Sequence, residues 1–203
     1  VFLIGIPSAV GLVVLAEPLC ASLFQYGKFT PQDTQMVAAA VSAMSIGIPA
    51  FMLSKVLLPA FFSRQDTKTP MKIAIYTVLV NVLLIVGLVT PLWWYKFPMA
   101  HVGIALATAL AGIFNAVALS WYLRKEGVYN PEPGWLKWMI KIVAACALMT
   151  LSLVLIRWYV GDWRLLAGFW RLVWLFVAVG AGAAVYLASH WIFGLRLSHL
   201  REV

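Results

Sequence analysis

Apolar residues run through this chain in long continuous blocks, not in the one-faced or alternating patterns of a soluble fold. Six such blocks, at positions 2–24, 36–62, 73–95, 102–123, 138–160 and 172–193, are separated by short polar gaps. Each holds about twenty or more residues, and a helix of that length, rising about 1.5 Å per residue, crosses a hydrocarbon layer of about 30 Å. Lipid leaves only helices or closed barrels as ways to pair the backbone. Barrel strands would be about ten residues long and alternating in polarity. The pattern therefore predicts an all-α, polytopic membrane bundle of six transmembrane helices.

The gaps carry the punctuation expected between helices. Thr30-Pro31 places a capping hydroxyl before a proline at the first helical position, with Asp33 in the first turn. The Asn130-Pro131-Glu132-Pro133-Gly134 run breaks any helix and divides the chain into four helices (1–123), a linker (124–137) and a final pair with a short tail (138–203). Residues 161–170, GDWRLLAGFW, suit an interfacial turn with Trp anchors. Small residues recur at four-residue spacing in Ala43/Gly47, Thr108/Gly112/Ala116 and Gly180/Ala184/Ala188, a spacing that lets helix backbones approach closely in lipid. An apolar run opens at Val1 with no charged leader before it, so the expectation is the carboxy-terminal part of a longer protein.

Composition agrees: 64% of residues are hydrophobic and 11% charged, with a mean hydropathy of +0.94. The net charge of +8 does not point to nucleic acid, because the basic residues sit at helix ends, where they orient a membrane protein. Alternating the sides places Arg64, Lys68, Lys72, Arg124, Lys125, Lys137, Lys141, Arg196 and Arg201 together, against Lys28, Lys96, Arg157, Arg164 and Arg171. The first group marks the cytoplasmic side, and the carboxy terminus lies there too. Cys20 and Cys146 stand singly in apolar runs and read as small hydrophobes.

Lys55 is the residue that composition leaves unexplained. It lies nine positions before Arg64, which puts it about 13 Å inside its span. A lysine at that depth costs about 2.5–3.5 kcal/mol unless it faces protein or water. A cavity-facing ammonium suits an anionic substrate such as a lipid phosphate; the plainer alternative is a snorkelling stem. Pro49 and Pro59 flank it in the same span and free carbonyls that bend the helix or line a cavity. Glu17 is either a proton-linked carboxylate or a hydrated one near the interface. Asn81 and Asn115 are intramembrane amides suited to interhelical hydrogen bonds or substrate contact, and His190 is expected at the interface. The sequence has no HExxH, GxSxG or GxxxxGK[ST] motif and no close intramembrane acid pair. No enzyme, metal or cofactor is expected, and Gly180-Ala181-Gly182 reads as helix packing.

The stretches YGKFTPQDTQ (26–35), GIPAFMLSKVLLPAFFSRQDTKTPMK (47–72) and GIPSAVGLVVLAEPL (5–19) resemble the MurJ/MviN family of lipid II flippases. The likeness extends over the whole chain and is most specific across 27–72. It implies a fourteen-helix, two-lobed transporter of the bacterial inner membrane, of which this chain forms most of the carboxy-terminal lobe. It further implies that lipid II, the undecaprenyl-diphosphate-linked peptidoglycan precursor, moves to the outer leaflet by alternating access. The partners implied are lipid II, membrane lipids and the amino-terminal lobe. Carried over from the family are Lys55 in a cationic cavity and a cytoplasmic loop of Arg64, Asp66, Thr67, Lys68, Thr69 and Pro70, either gating or purely structural. The final helix pair matches the family's groove for the lipid tail. A translocase for another undecaprenyl-linked saccharide, or a non-transporting scaffold of the cell-wall machinery, is the alternative. An enzyme acting on lipid phosphates would rest on Arg157, Arg164 and Arg171, which have only Asp162 as an acid–base partner.

Overall fold

A computed structural model describes residues 1–94, 100–128 and 134–192. Lys96, the 130–133 stretch, Arg196 and Arg201, all used in the sequence reading, lie outside these residues. Within them all regular structure is helical: α1 (Phe2–Phe24), α2 (Pro31–Ser45), α3 (Ile48–Phe62), α4 (Lys68–Trp94), α5 (Ala100–Lys125), α6 (Trp135–Val160) and α7 (Gly168–Ile192), with one 3-10 turn at Trp163–Leu165. Five of these helices are individually long and apolar enough to cross a membrane.

The expected single span over 36–62 is instead two helices, α2 and α3, bent by 41° at a short break. Pro49 has no N–H for the Ser45 carbonyl, and the Gly47 N–H turns back to Met44 O at 3.0 Å, closing α2 with a tight turn. The Thr30 cap forms as expected. Its hydroxyl accepts the Asp33 N–H, while the Asp33 carboxylate accepts the Thr30 N–H at 2.9 Å.

Two helices are central. α1 packs against α2, α3, α6 and α7, and α5 packs against α2, α3 and α4. One core joins α1, α6 and α7 through Leu15, Ile142, Met149, Leu153, Leu175 and Tyr186. A second joins α3, α4 and α5 through Leu57, Phe61, Ile73, Leu119 and Leu123. Cys20 is fully buried between α1 and α2, with Ala16 and Ala38, and Cys146 is also buried. The far side of α4, with Ile75, Val78, Leu79, Val82, Leu83 and Val86, is exposed and mostly apolar, the make-up of a lipid-facing surface.

Three packing expectations change. The Gly180/Ala184/Ala188 stripe faces outward, and α7 packs through the face of Ala178, Gly182, Tyr186 and Ser189, about 160° to 200° away on the helical wheel. Trp163 is buried in the α1–α6–α7 core, not anchored at an interface, because the 3-10 turn folds it under α1. His190 is likewise buried, 4.4 Å from the Tyr186 ring. The close-packed glycines are Gly47 and Gly112, which form a slot for the Phe51 ring. A Cβ at Gly112 would lie 2.0 Å from Phe51 Cε1, and one at Gly47 would lie 2.9 Å from the Ala109 Cα.

Candidate functional site

α3 shows two different faces around Lys55. Ser54, Leu57 and Phe61 are buried against α5, whereas Lys55, Val56, Pro59 and Phe62 are exposed. Ser54 is held by Asn115, whose Nδ2 donates to Ser54 Oγ at 3.2 Å; Asn115 Oδ1 in turn accepts from Thr77 Oγ1 at 3.3 Å. These hydrogen bonds tie α3, α5 and α4 together and leave Lys55 on the outward face, where the ammonium has no hydrogen bond or ion pair among the described residues. Asn81 lies one turn beyond Thr77, and its buried Oδ1 has no partner among the described residues. The structure therefore separates the two amides: Asn115 makes the interhelical contacts and Asn81 does not.

Glu17 is bound to its own bundle. Arg157 on α6 donates to Glu17 Oε2 at 2.9 Å and to Val14 O at 2.7 Å. The second bond follows from Pro18, which cannot supply an N–H to the carbonyl four residues earlier. Pro7 does the same for Leu3, and the Tyr186 hydroxyl donates to Leu3 O at 2.7 Å. Arg171, buried at the start of α7, donates to Ala21 O and Gln25 O at 3.3 and 3.2 Å, a cation at the carboxyl end of α1. Two arginines that stood out against the charge rule are thus explained by helix packing. Sequence reasoning missed these roles, although for Arg157 and Tyr186 the signal was present in Pro18 and Pro7, each four residues after a carbonyl that lipid cannot satisfy.

The 64–70 loop is built from caps. α3 ends with Asp66 N–H on Phe61 O at 3.1 Å and Gln65 N–H on Phe62 O at 3.0 Å, with Gln65 left-handed at φ 56°. α5 ends in the same way at Gly127, through Val128 N–H on Leu123 O and Gly127 N–H on Arg124 O. An Arg64–Glu126 ion pair links the two ends. Asp66 Oδ1 accepts the Thr69 N–H at 3.0 Å. Hydrogen bonds from Thr69, first its hydroxyl and then its backbone, hold the Asp66 carboxyl below the ordinary carboxylate range, with a smaller contribution from Arg64. Thr67 accepts the Met71 N–H through its carbonyl, and Lys68 and Thr69 open α4 ahead of a buried Pro70.

An apolar cleft of about 480 Å³ runs along α1 and α7 over a floor from α6. Leu3, Gly11 and Leu15 line one wall, Ala183 and Leu187 the other, and Met149 with Leu153 the floor. Gly182 keeps it open by lying against Leu153, whose Cδ2 is 3.0 Å from where a Cβ would stand. Among the described residues no three His, Cys, Asp or Glu side chains gather where a metal ion would bind.

The family description "Lipid II flippase MurJ" matches residues 1–174. The chain belongs to the MurJ family. It is 34% identical over 207 residues to the lipid II flippase MurJ of Burkholderia cenocepacia, covering 99% of this chain and 38% of that protein. The probable lipid II flippases MurJ of Rickettsia prowazekii and Vibrio cholerae are 35% and 34% identical, over 77% and 98% of this chain and 30% and 36% of theirs. The chain thus spans about a third of the length of these MurJ proteins. In this MurJ-family segment Lys55 directly follows Ser54 of the polar clamp, Glu17 lies in an ion pair elsewhere, and residues 64–70 gather at one end of the bundle.

Proposed function

We propose that this chain is the carboxy-terminal part of a flippase that moves lipid II from the inner to the outer leaflet of the bacterial inner membrane by alternating access. The observation that carries the reading is Lys55. A family of lipid II flippases supplies the context, and here a mid-span ammonium stands on the exposed face of α3 without a partner among the described residues. Lipid would penalise such a group, whereas a hydrated cavity facing a second lobe would match it to a diphosphate. Moving a diphosphate and sugars through about 30 Å of hydrocarbon requires a wet, cationic path. The α1–α6–α7 cleft supports a second part of the reading: the polyprenyl tail stays apolar in it while the headgroup crosses. The end bearing the 64–70 loop and Glu126 is cytoplasmic, and the Arg64–Glu126 pair and the Asp66–Thr69 cap hold that loop in place. This is transport and not catalysis.

The test is leaflet accessibility of lipid II in cells depleted of the full-length protein and complemented with wild type or Lys55→Ala. Inner-leaflet trapping relieved by wild type but not by the variant is the expected result. Relief by both would return Lys55 to a structural role. Normal outer-leaflet lipid II after depletion would overturn the substrate, and a different lipid-linked saccharide or a scaffold role would replace it.

A further inference from the structure

The outer face of α5 is an apolar strip that ends at a charge. Leu110, Phe114, Val117 and Trp121 are all exposed, Val117 and Trp121 at 61% and 58%, and their four- and three-residue spacing puts them on one face of the helix. That face lies opposite Gly112, Leu119 and Leu123, which pack toward α3 against Phe51, Leu57 and Phe61. Lys125 follows one turn after Trp121, in the last turn of α5. Its side chain lies back over the helix, with Nζ 5.4 Å from the centre of the Trp121 ring. The Trp121 and Tyr122 rings meet in a T-shaped contact, their centroids 5.8 Å apart. Glu126, the acid next in sequence, is paired with Arg64, and the Lys125 ammonium makes no ion pair or hydrogen bond with another described residue.

A lysine at the end of a membrane helix extends its stem toward water when nothing holds it. Here the ring holds the ammonium by cation–π attraction, beside a Trp, the residue type that sits at the boundary between acyl chains and headgroups. Along the strip the surface thus presents apolar side chains, an aromatic ring and then an uncompensated cation. A phospholipid presents the matching order of acyl chain, glycerol and phosphate. We propose that Trp121 and Lys125 form a headgroup site for an anionic phospholipid of the surrounding bilayer, its phosphate against the Lys125 ammonium and an acyl chain along Val117 and Phe114. An anionic headgroup fits better than a zwitterionic one, whose own cation competes for the phosphate. The strip is on the side of α5 turned away from α3, which carries Lys55, so the site belongs to bilayer lipid and not to a transported one. It does not depend on which lipid the protein moves.

The test reads Lys125 itself. Full-length protein is placed in nanodiscs of phosphatidylcholine alone or with about one quarter phosphatidylglycerol, and acetylation of its lysines by an amine-reactive reagent is followed peptide by peptide by mass spectrometry. Phosphatidylglycerol is expected to slow acetylation of Lys125 about fivefold, the effect of one close phosphate at the membrane surface. Lys137, an exposed lysine in the first turn of α6, should slow by less than about twofold, the share of the general surface potential. Trp121→Leu keeps the strip apolar at an exposed position, so the fold is unaffected. It releases the ammonium and should reduce the protection of Lys125 to the level of Lys137. Equal slowing of both lysines would mean a diffuse potential, and no slowing would mean that no headgroup is held; each overturns the proposal. Protection that survives Trp121→Leu unchanged overturns the pairing of ring and ammonium. Lipid II added to phosphatidylcholine discs is expected to leave Lys125 reactive, and protection by it would assign the site to the transported lipid instead.

Discussion

Arg157 makes two contacts of unequal worth. Its ion pair with Glu17 is about one-third exposed at each side chain, and such pairs contribute at most about 1 kcal/mol. Its bond to Val14 O satisfies a carbonyl that Pro18 has stripped of its donor in a helix surrounded by lipid. Glu17→Gln is therefore expected to cost less than about 1 kcal/mol, and Arg157→Ala about 2 kcal/mol, because it also takes the donor from the Val14 carbonyl. Thermal unfolding of the two variants in detergent separates them, and equal losses would refute the assignment. At this scale Lys55 and Glu17 were legible from the sequence as charges in apolar runs. It did not show that Glu17 has a partner 140 positions away. Nor did it distinguish Asn81 from Asn115, because residue type is the same and only the neighbouring helix differs.

The break between α2 and α3 is the element that the sequence reading described least well. Hydropathy runs straight through 36–62, so a continuous helix was the natural expectation, although Pro49 and Gly47 were both visible. What fixes the bend is the Phe51 ring lodged between Gly47 and Gly112, a contact that depends on α5 lying alongside. Gly112→Ala sets a methyl against the ring and is expected to destabilise by about 1–3 kcal/mol. Phe51→Ala gives the room back, so the double variant should cost clearly less than the sum of the singles. Gly47→Ala meets Ala109 backbone as well as the ring, so Phe51→Ala should rescue it less. Additive losses for the Gly112 pair in equilibrium unfolding would contradict the slot. The small-residue stripe on α7 teaches the same lesson: four-residue spacing marks a surface that permits close approach, and Gly180, Ala184 and Ala188 have no helix against them among the described residues.

Across the molecule, α1 joins the final helix pair to the rest, and the cleft between α1 and α7 has its floor from α6. If the cleft takes the lipid tail, Ala183→Trp should fill it and lower flipping by about fivefold, equivalent to about 1 kcal/mol of lost apolar contact. The same variant should leave the thermal midpoint within about 2 °C of wild type, because Ala183 is exposed and displaces nothing. Undiminished flipping with a folded protein would remove the cleft from the transport path. The sequence by itself determined the all-helical membrane character, nearly every helix, the Thr30 cap and the family. Those features depend on local composition, on spacing along one segment, or on motifs read in order. Only the tertiary structure decided which carbonyls freed by proline find donors, which face of α7 is buried, where the second span bends and which helices enclose the cleft. Each of these depends on side chains meeting across distant segments, and no pattern within a single segment specifies its neighbour.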